Sequence, residues 1–210
     1  MKFPPVTVRP SLIAAFAALA TVSLAGCADV NTNVRATSMP RPPEGDTTYR
    51  LARTASQETS DVRLQYEAQV RSALASYGFR DAGSAGANPR YLVSIAHATR
   101  AASIGLDVPE CGDASGSCSM PSSSGFWFFL RSYVHVLTLR FFDREAAREV
   151  YKVVAVSRDH DADAAHAVPF LVKSAFAEFP YAGAGAWRVK LHPAKDGALP
   201  GVVSIKPLAR

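Results

Sequence analysis

Residues 133–157, YVHVLTLRFFDREAAREVYKVVAVS, decide the fold. Tyr133 to Phe142 is rich in β-branched and aromatic residues, the strongest strand signal in the chain. Val150 to Ser157 is its natural partner, and the polar stretch Asp143 to Arg148 supplies a turn between them. The two runs therefore predict an antiparallel hairpin.

Working outward, Tyr91, Val93, Ile95 and His97 alternate with Leu92, Ser94 and Ala96, which predicts a strand before the hairpin. Thr47 to Arg53 alternates in the same way, with Tyr49 and Leu51 on one side. Between these two strands the period changes: Val62, Tyr66, Val70, Ala73, Leu74 and Tyr77 recur every three or four residues. That spacing predicts a helix over 61–77, with Ser60 capping its first turn and Gly78 closing its last in the left-handed conformation. Beyond the hairpin, Ala167 to Phe179 predicts a second helix, with Pro169 in its first turn and Pro180 ending it. Trp187, Val189 and Leu191 mark a further strand, and Val202 to Ile205 a short edge. The order β-α-β-β-β-α-β predicts an α+β fold, a mainly antiparallel sheet with two helices packed on one face.

The N-terminus carries a different signal. Lys2 and Arg9 precede an apolar run from Leu12 to Leu24, which ends in Leu24-Ala25-Gly26-Cys27. The run is shorter than the ~20 residues that span a bilayer, and its order is that of a cleaved export signal. The last four residues resemble the bacterial lipobox, which implies removal of residues 1–26 and acylation of Cys27. Several acyl chains, each methylene contributing about 0.8 kcal/mol, would hold the protein firmly on a membrane. Residues 27–46 hold Asn31, Asn33, Pro40, Pro42, Pro43 and Gly45 with little apolar periodicity, and read as a lipidated tether. Such a tether would span about 25 Å on average. Residues 47–210 then form a single domain. Ala28 follows Cys27, and Asp29 comes one place later than the Asp that enterobacterial sorting rules associate with inner-membrane retention. Resemblance to those rules implies the periplasmic face of the outer membrane.

The formal charge is +5; without Lys2 and Arg9 the mature chain carries +3. Neither value calls for nucleic acid as a partner. Export would place Cys111 and Cys118 in an oxidising compartment, where they are expected to pair, closing a short loop and stabilising by roughly 2–2.5 kcal/mol. They sit in a Gly- and Ser-rich insertion, 101–125, of a length that is often functional. Directly after it come Phe126, Trp127, Phe128, Phe129 and Leu130, a candidate interaction segment: five consecutive large apolar side chains cannot all face one side of a strand.

Thr48-Tyr49-Arg50, Tyr66 to Gly78-Phe79, Tyr91-Leu92-Val93, Asp143 with Val150-Tyr151, and Phe179-Pro180 together resemble bacterial lipoproteins of domain-of-unknown-function family 4136. The resemblance spans roughly residues 47–180. It implies an exported lipoprotein with a small α+β domain, and no known activity or catalytic residue.

Chemistry-bearing residues cluster once, in Asp159-His160-Asp161-Ala162-Asp163-Ala164-Ala165-His166. His160, Asp161, Asp163 and His166 could converge on a divalent metal, but they lack the ordered spacing of known sites. Acidic residues before a helix also complement its positive end without any ligand. His97 and His135, on predicted strands, could face one another across the sheet, yet neither has an obvious nucleophile beside it. With no Gly-x-Ser-x-Gly elbow and no phosphate-cradling loop, the expectation is a non-catalytic, membrane-anchored interaction domain with no cofactor and an envelope protein as partner. The alternative is a periplasmic enzyme or metal binder using the His160 and His166 region.

Overall fold

The structure is a computed structural model that describes residues 29–37, 45–53, 60–83, 88–102, 132–181, 184–194 and 199–208. Its elements, in chain order, are β1 Val30–Ala36, β2 Thr48–Ala52, α1 Asp61–Ser76, β3 Arg80–Asp81, β4 Tyr91–Ala101, β5 Tyr133–Asp143, β6 Arg148–Asp159, α2 Ala164–Ala175, β7 Gly185–His192 and β8 Gly201–Pro207. They build one eight-stranded sheet in the order β3-β2-β4-β5-β6-β1-β7-β8. The two helices pack against each other and against the sheet, so they share one face.

The expected hairpin is present: β5 and β6 pair antiparallel from Tyr133 opposite Asp159 to Asp143 opposite Arg148. Asp143 makes the turn, its Oδ1 accepting from the amides of Glu145 and Ala146 at 2.9 and 3.1 Å. The expectation of a mainly antiparallel sheet is overturned. The sheet is mixed, because β2 runs parallel to both β3 and β4. The reason is the helix between them: α1 carries the chain back to the end where β2 began, and a strand entered after such a crossover runs parallel to the one before it.

The second correction concerns the tether. Within 27–46, Val30–Ala36 is a strand in the interior of the sheet, antiparallel to β6 on one side and β7 on the other. The crossover β6-α2-β7 leaves a gap one strand wide, and β1 fills it. Thr32, Val34 and Ala36 point into the core while Asn31, Asn33 and Arg35 point out. The order is thus β-β-α-β-β-β-β-α-β-β.

Helix ends follow local chemistry. Gly78 at φ +79° closes α1, with the amides of Gly78 and Phe79 donating to the carbonyls of Ala75 and Leu74. That is the paired-bond ending glycine permits. Ser60 occupies the N-cap of α1 but makes no side-chain cap bond. Helix α2 starts earlier than expected, capped by Asp163, so Pro169 falls in its second turn instead of its first. Where both helices meet the sheet, Phe179 stacks edge-on or tilted against Tyr77, Phe79, Phe141, Tyr151 and Phe176, at centroid distances of 5.1–6.0 Å. Contacts of this type add to burial, and this cluster joins α1, α2, β5 and β6.

Candidate functional site

Thr99, His135, Ser157 and Thr32 lie in one cross-strand row on the helix-covered face of the sheet. His135 is 1% exposed. Its Nε2 stands 3.1 Å from Asp159 Oδ1 and 3.0 Å from the Asp161 carbonyl, both acceptors, so in the neutral imidazole Nε2 carries the hydrogen. Nδ1 then accepts from the Thr99 hydroxyl at 2.9 Å. A hydroxyl therefore does lie beside His135, which the sequence did not reveal, since Thr99 and His135 are far apart in the chain and opposed only by the β4/β5 register. The polarity is that of a hydroxyl–imidazole–carboxylate relay. The ring is buried and both of its nitrogens are hydrogen-bonded, which makes it a structural tie between β4, β5 and the segment after β6. His97 does not face His135. It lies opposite Leu137 and stacks on Tyr66 at 4.9 Å. Burial, with the nearby Arg63 charge, holds its pKa below the ordinary histidine value.

The carboxylates of 159–163 serve the backbone. Asp159 accepts from the amide of Asp161, Asp161 from that of Asp163, and Asp163 from that of Ala165 at the start of α2, each at 2.8–2.9 Å. These successive two-residue bridges steer the chain from β6 into the helix. His166 stands 3.9 Å from Asp161, and both are exposed. Among the described residues no three His, Cys, Asp or Glu side chains converge to hold a metal. The spacing of His160, Asp161, Asp163 and His166 thus reads better as capping chemistry than as a ligand set.

The opposite face of the sheet is different in kind. Two adjoining cavities, each about 470 Å³, run along β1 and share Asn33 and Val156. Their floor is apolar, made by Val154, Val156, Ala186 and Leu208. Arg158, Arg188, Arg35 and Lys152 are spread along their length, and among the described residues no carboxylate lines either cavity. Among the described residues none of these four cations pairs with an acid; Arg188 donates to Asn33 Oδ1 at 3.3 Å. The sequence hid this trough because half of it is β1, which read as linker.

At the start of β1, Asp29 accepts from Lys190 at 2.7 Å and meets His192 at 2.9 Å, and these bonds hold its carboxyl below the usual range. Cys27, Cys111, Cys118 and Phe126 to Leu130 lie outside the described residues. No helix of the described residues is long and apolar enough to cross a membrane.

Among the described residues, a mixed sheet with both helices on one face, a polar tie on that side and a cationic trough on the other define a small α+β domain. Residues 43–181 match the family described as Domain of unknown function (DUF4136), and the chain belongs to that family. No curated protein matches it. Similar solved structures include the PelC dodecamer from Paraburkholderia phytofirmans, 18% identical over 70% of this chain and 96% of that one, with a TM-score of 0.44. A single-substitution variant of the same PelC is 16% identical at a TM-score of 0.40, covering 70% of this chain and 95% of that one. A PDZ domain protein from Parabacteroides distasonis is 12% identical at 0.43; the match covers 83% of this chain and 42% of that protein.

Proposed function

We propose that this chain is a lipid-anchored protein of the bacterial envelope, held at the periplasmic face of the outer membrane, and that its domain binds a partner without catalysis. The observation that carries the reading is the face of the sheet away from the helices: His135 and the carboxylates of 159–163 on the helix side make structural bonds, whereas the trough along β1 keeps four cations without acidic partners among the described residues. The lipobox at Leu24 to Cys27 supports the anchor. With β1 starting at Val30, three residues past Cys27, an acyl group there would hold the domain within about 10 Å of the bilayer.

The test is a Cys27→Ser chain expressed in bacteria. Release from the membrane fraction, or retention of the uncut precursor mass, is expected; unchanged fractionation with unchanged mass would remove the anchor. Photo-crosslinking from Arg35 in intact cells should give a discrete adduct, and its absence would remove the interaction role. Stoichiometric metal in the purified protein, lost on His160→Ala with His166→Ala, would favour the metal-binding alternative.

A further inference from the structure

The chemistry of the trough specifies its ligand more closely than the word partner does. It follows β1 from Asn31 to Thr37, six residue steps or about 20 Å of strand. Asn31 and Asn33 stand on the same face, about 7 Å apart, which is the repeat of alternate residues in an extended chain. A carboxamide both donates and accepts, as a peptide group does. The cations alternate with small and β-branched side chains: Asn33 stands between Val156 and Arg188, and Arg35 between Val154 and Ala186.

Resting on the reading of the domain as a non-catalytic binding module, we propose that the trough takes an extended, acidic segment of a partner polypeptide. Arg158, Arg188, Arg35 and Lys152 bind its carboxylates along the length of the trough, and its apolar side chains lie on Val154, Val156 and Ala186. Three other occupants fit less well. A second copy of this face would set cations against cations, which costs free energy at any interface. A flat bilayer cannot follow a concave trough. A sugar polymer would gain most from aromatic platforms, and among the described residues no aromatic side chain lines either cavity.

The experiment uses the mature chain with Cys27→Ser, which retains every described element. The probe is a fluorescein-labelled, capped seven-residue peptide of alternating valine and glutamate, followed by anisotropy. Saturable binding is expected, weakened at least tenfold in 0.5 M NaCl and at least tenfold by Arg158→Glu with Arg188→Glu. Arg80→Glu is the control, a charge reversal on β3 half the size of the double variant's, at a side chain 73% exposed and remote from the trough. It should leave binding within twofold. Independently of any substitution, the side-chain amide NMR signals of Asn31 and Asn33 should shift on adding peptide. Equal loss in Arg80→Glu, no saturable binding, unshifted Asn31 and Asn33 signals, or tighter binding to phosphatidylglycerol vesicles or to a glucuronate oligosaccharide would overturn the proposal. A crosslinked adduct from Arg35 in cells, with no peptide binding, would reject the acidic peptide and leave the broader reading standing. Loss of both would reject both.

Discussion

Arg63 Nε lies 2.9 Å from Glu67 Oε1, one helical turn away on α1, and both residues are only 1% exposed. The guanidinium also donates to the carbonyls of Ile95 at 2.7 Å and Ala52 at 3.0 Å, so it fastens the helix across β4 and β2. Arg53 donates to both oxygens of Glu67, and Arg71 stands 3.3 Å away. Two charges taken out of water thus hold the parallel part of the sheet, and each depends on the other for compensation.

Removing one partner should be costly. Glu67→Ala is expected to destabilise by about 3–5 kcal/mol, the range for an uncompensated buried charge. For a chain of this size that lowers Tm by roughly 6–20 °C. Thermal unfolding followed by circular dichroism checks it. Arg63→Met with Glu67→Leu should cost less than the sum of the single changes, and simple additivity would show that the two groups act independently.

The same carboxylate sets an acid limit. Burial raises Glu67, but the hydrogen bonds from Arg53 and Arg63 outweigh it and leave the pKa below the ordinary value. For Asp143, burial again opposes, while the Ala146 amide and Arg90 lower it. A folded pKa below the unfolded one means the unfolded chain binds more protons as pH falls. Stability from these groups is therefore full above the unfolded value of about 4 and is lost as pH drops through the lowered values. His97, lowered by burial and Arg63, adds a loss that begins as pH falls below about 6.5. Urea midpoints between pH 7 and pH 3 should fall in both regions. His97→Gln should abolish the upper one alone, and a midpoint flat throughout would contradict the assignment.

Thr32 and Ser157 are opposite each other on β1 and β6, fully or almost fully buried, and neither hydroxyl has a hydrogen-bond partner among the described residues. A buried hydroxyl without a partner costs about 1–3 kcal/mol. Thr32→Val keeps the shape and removes that cost, so it should stabilise the protein by roughly 1 kcal/mol, where most core changes destabilise. A urea midpoint lowered by the substitution would show that the hydroxyl does hold a partner in solution.

The β5/β6 hairpin, both helices and Gly78 were legible because each rests on periodicity or on one residue's backbone freedom, and both are local. The strand β1 was not. Val30-Asn31-Thr32-Asn33-Val34-Arg35-Ala36 does alternate, but Asn is a poor strand former and the inward side chains are small. Its place between β6 and β7 compensates, since both of its edges are hydrogen-bonded. The direction of β2 also escaped, because period-two alternation is the same in parallel and antiparallel strands. Thr99 beside His135, Arg63 beneath Ile95 and the cations of the trough meet only through strand register, which no single stretch of sequence carries.

The place of β1 makes the last prediction severe. If residues 28–46 were only a tether, a chain beginning at residue 38 would keep its fold. In the sheet, however, β1 is the one strand among the described residues that joins β6 to the β7-β8 hairpin, so its loss divides eight strands into five and two. Val189 and Leu191, fully buried in β7, would lose their neighbours Thr32, Val34 and Val30. A two-stranded ribbon is marginal alone in water, and the newly opened edge of β6 would invite pairing with other chains. The truncated chain is therefore expected to aggregate or to lose its dispersed amide NMR spectrum, while one beginning at Ala28 stays folded. Val34→Asp, which places a charge at a position 1% exposed, should have nearly the same effect without shortening the chain. A folded, monomeric protein starting at residue 38 would return β1 to the role of tether.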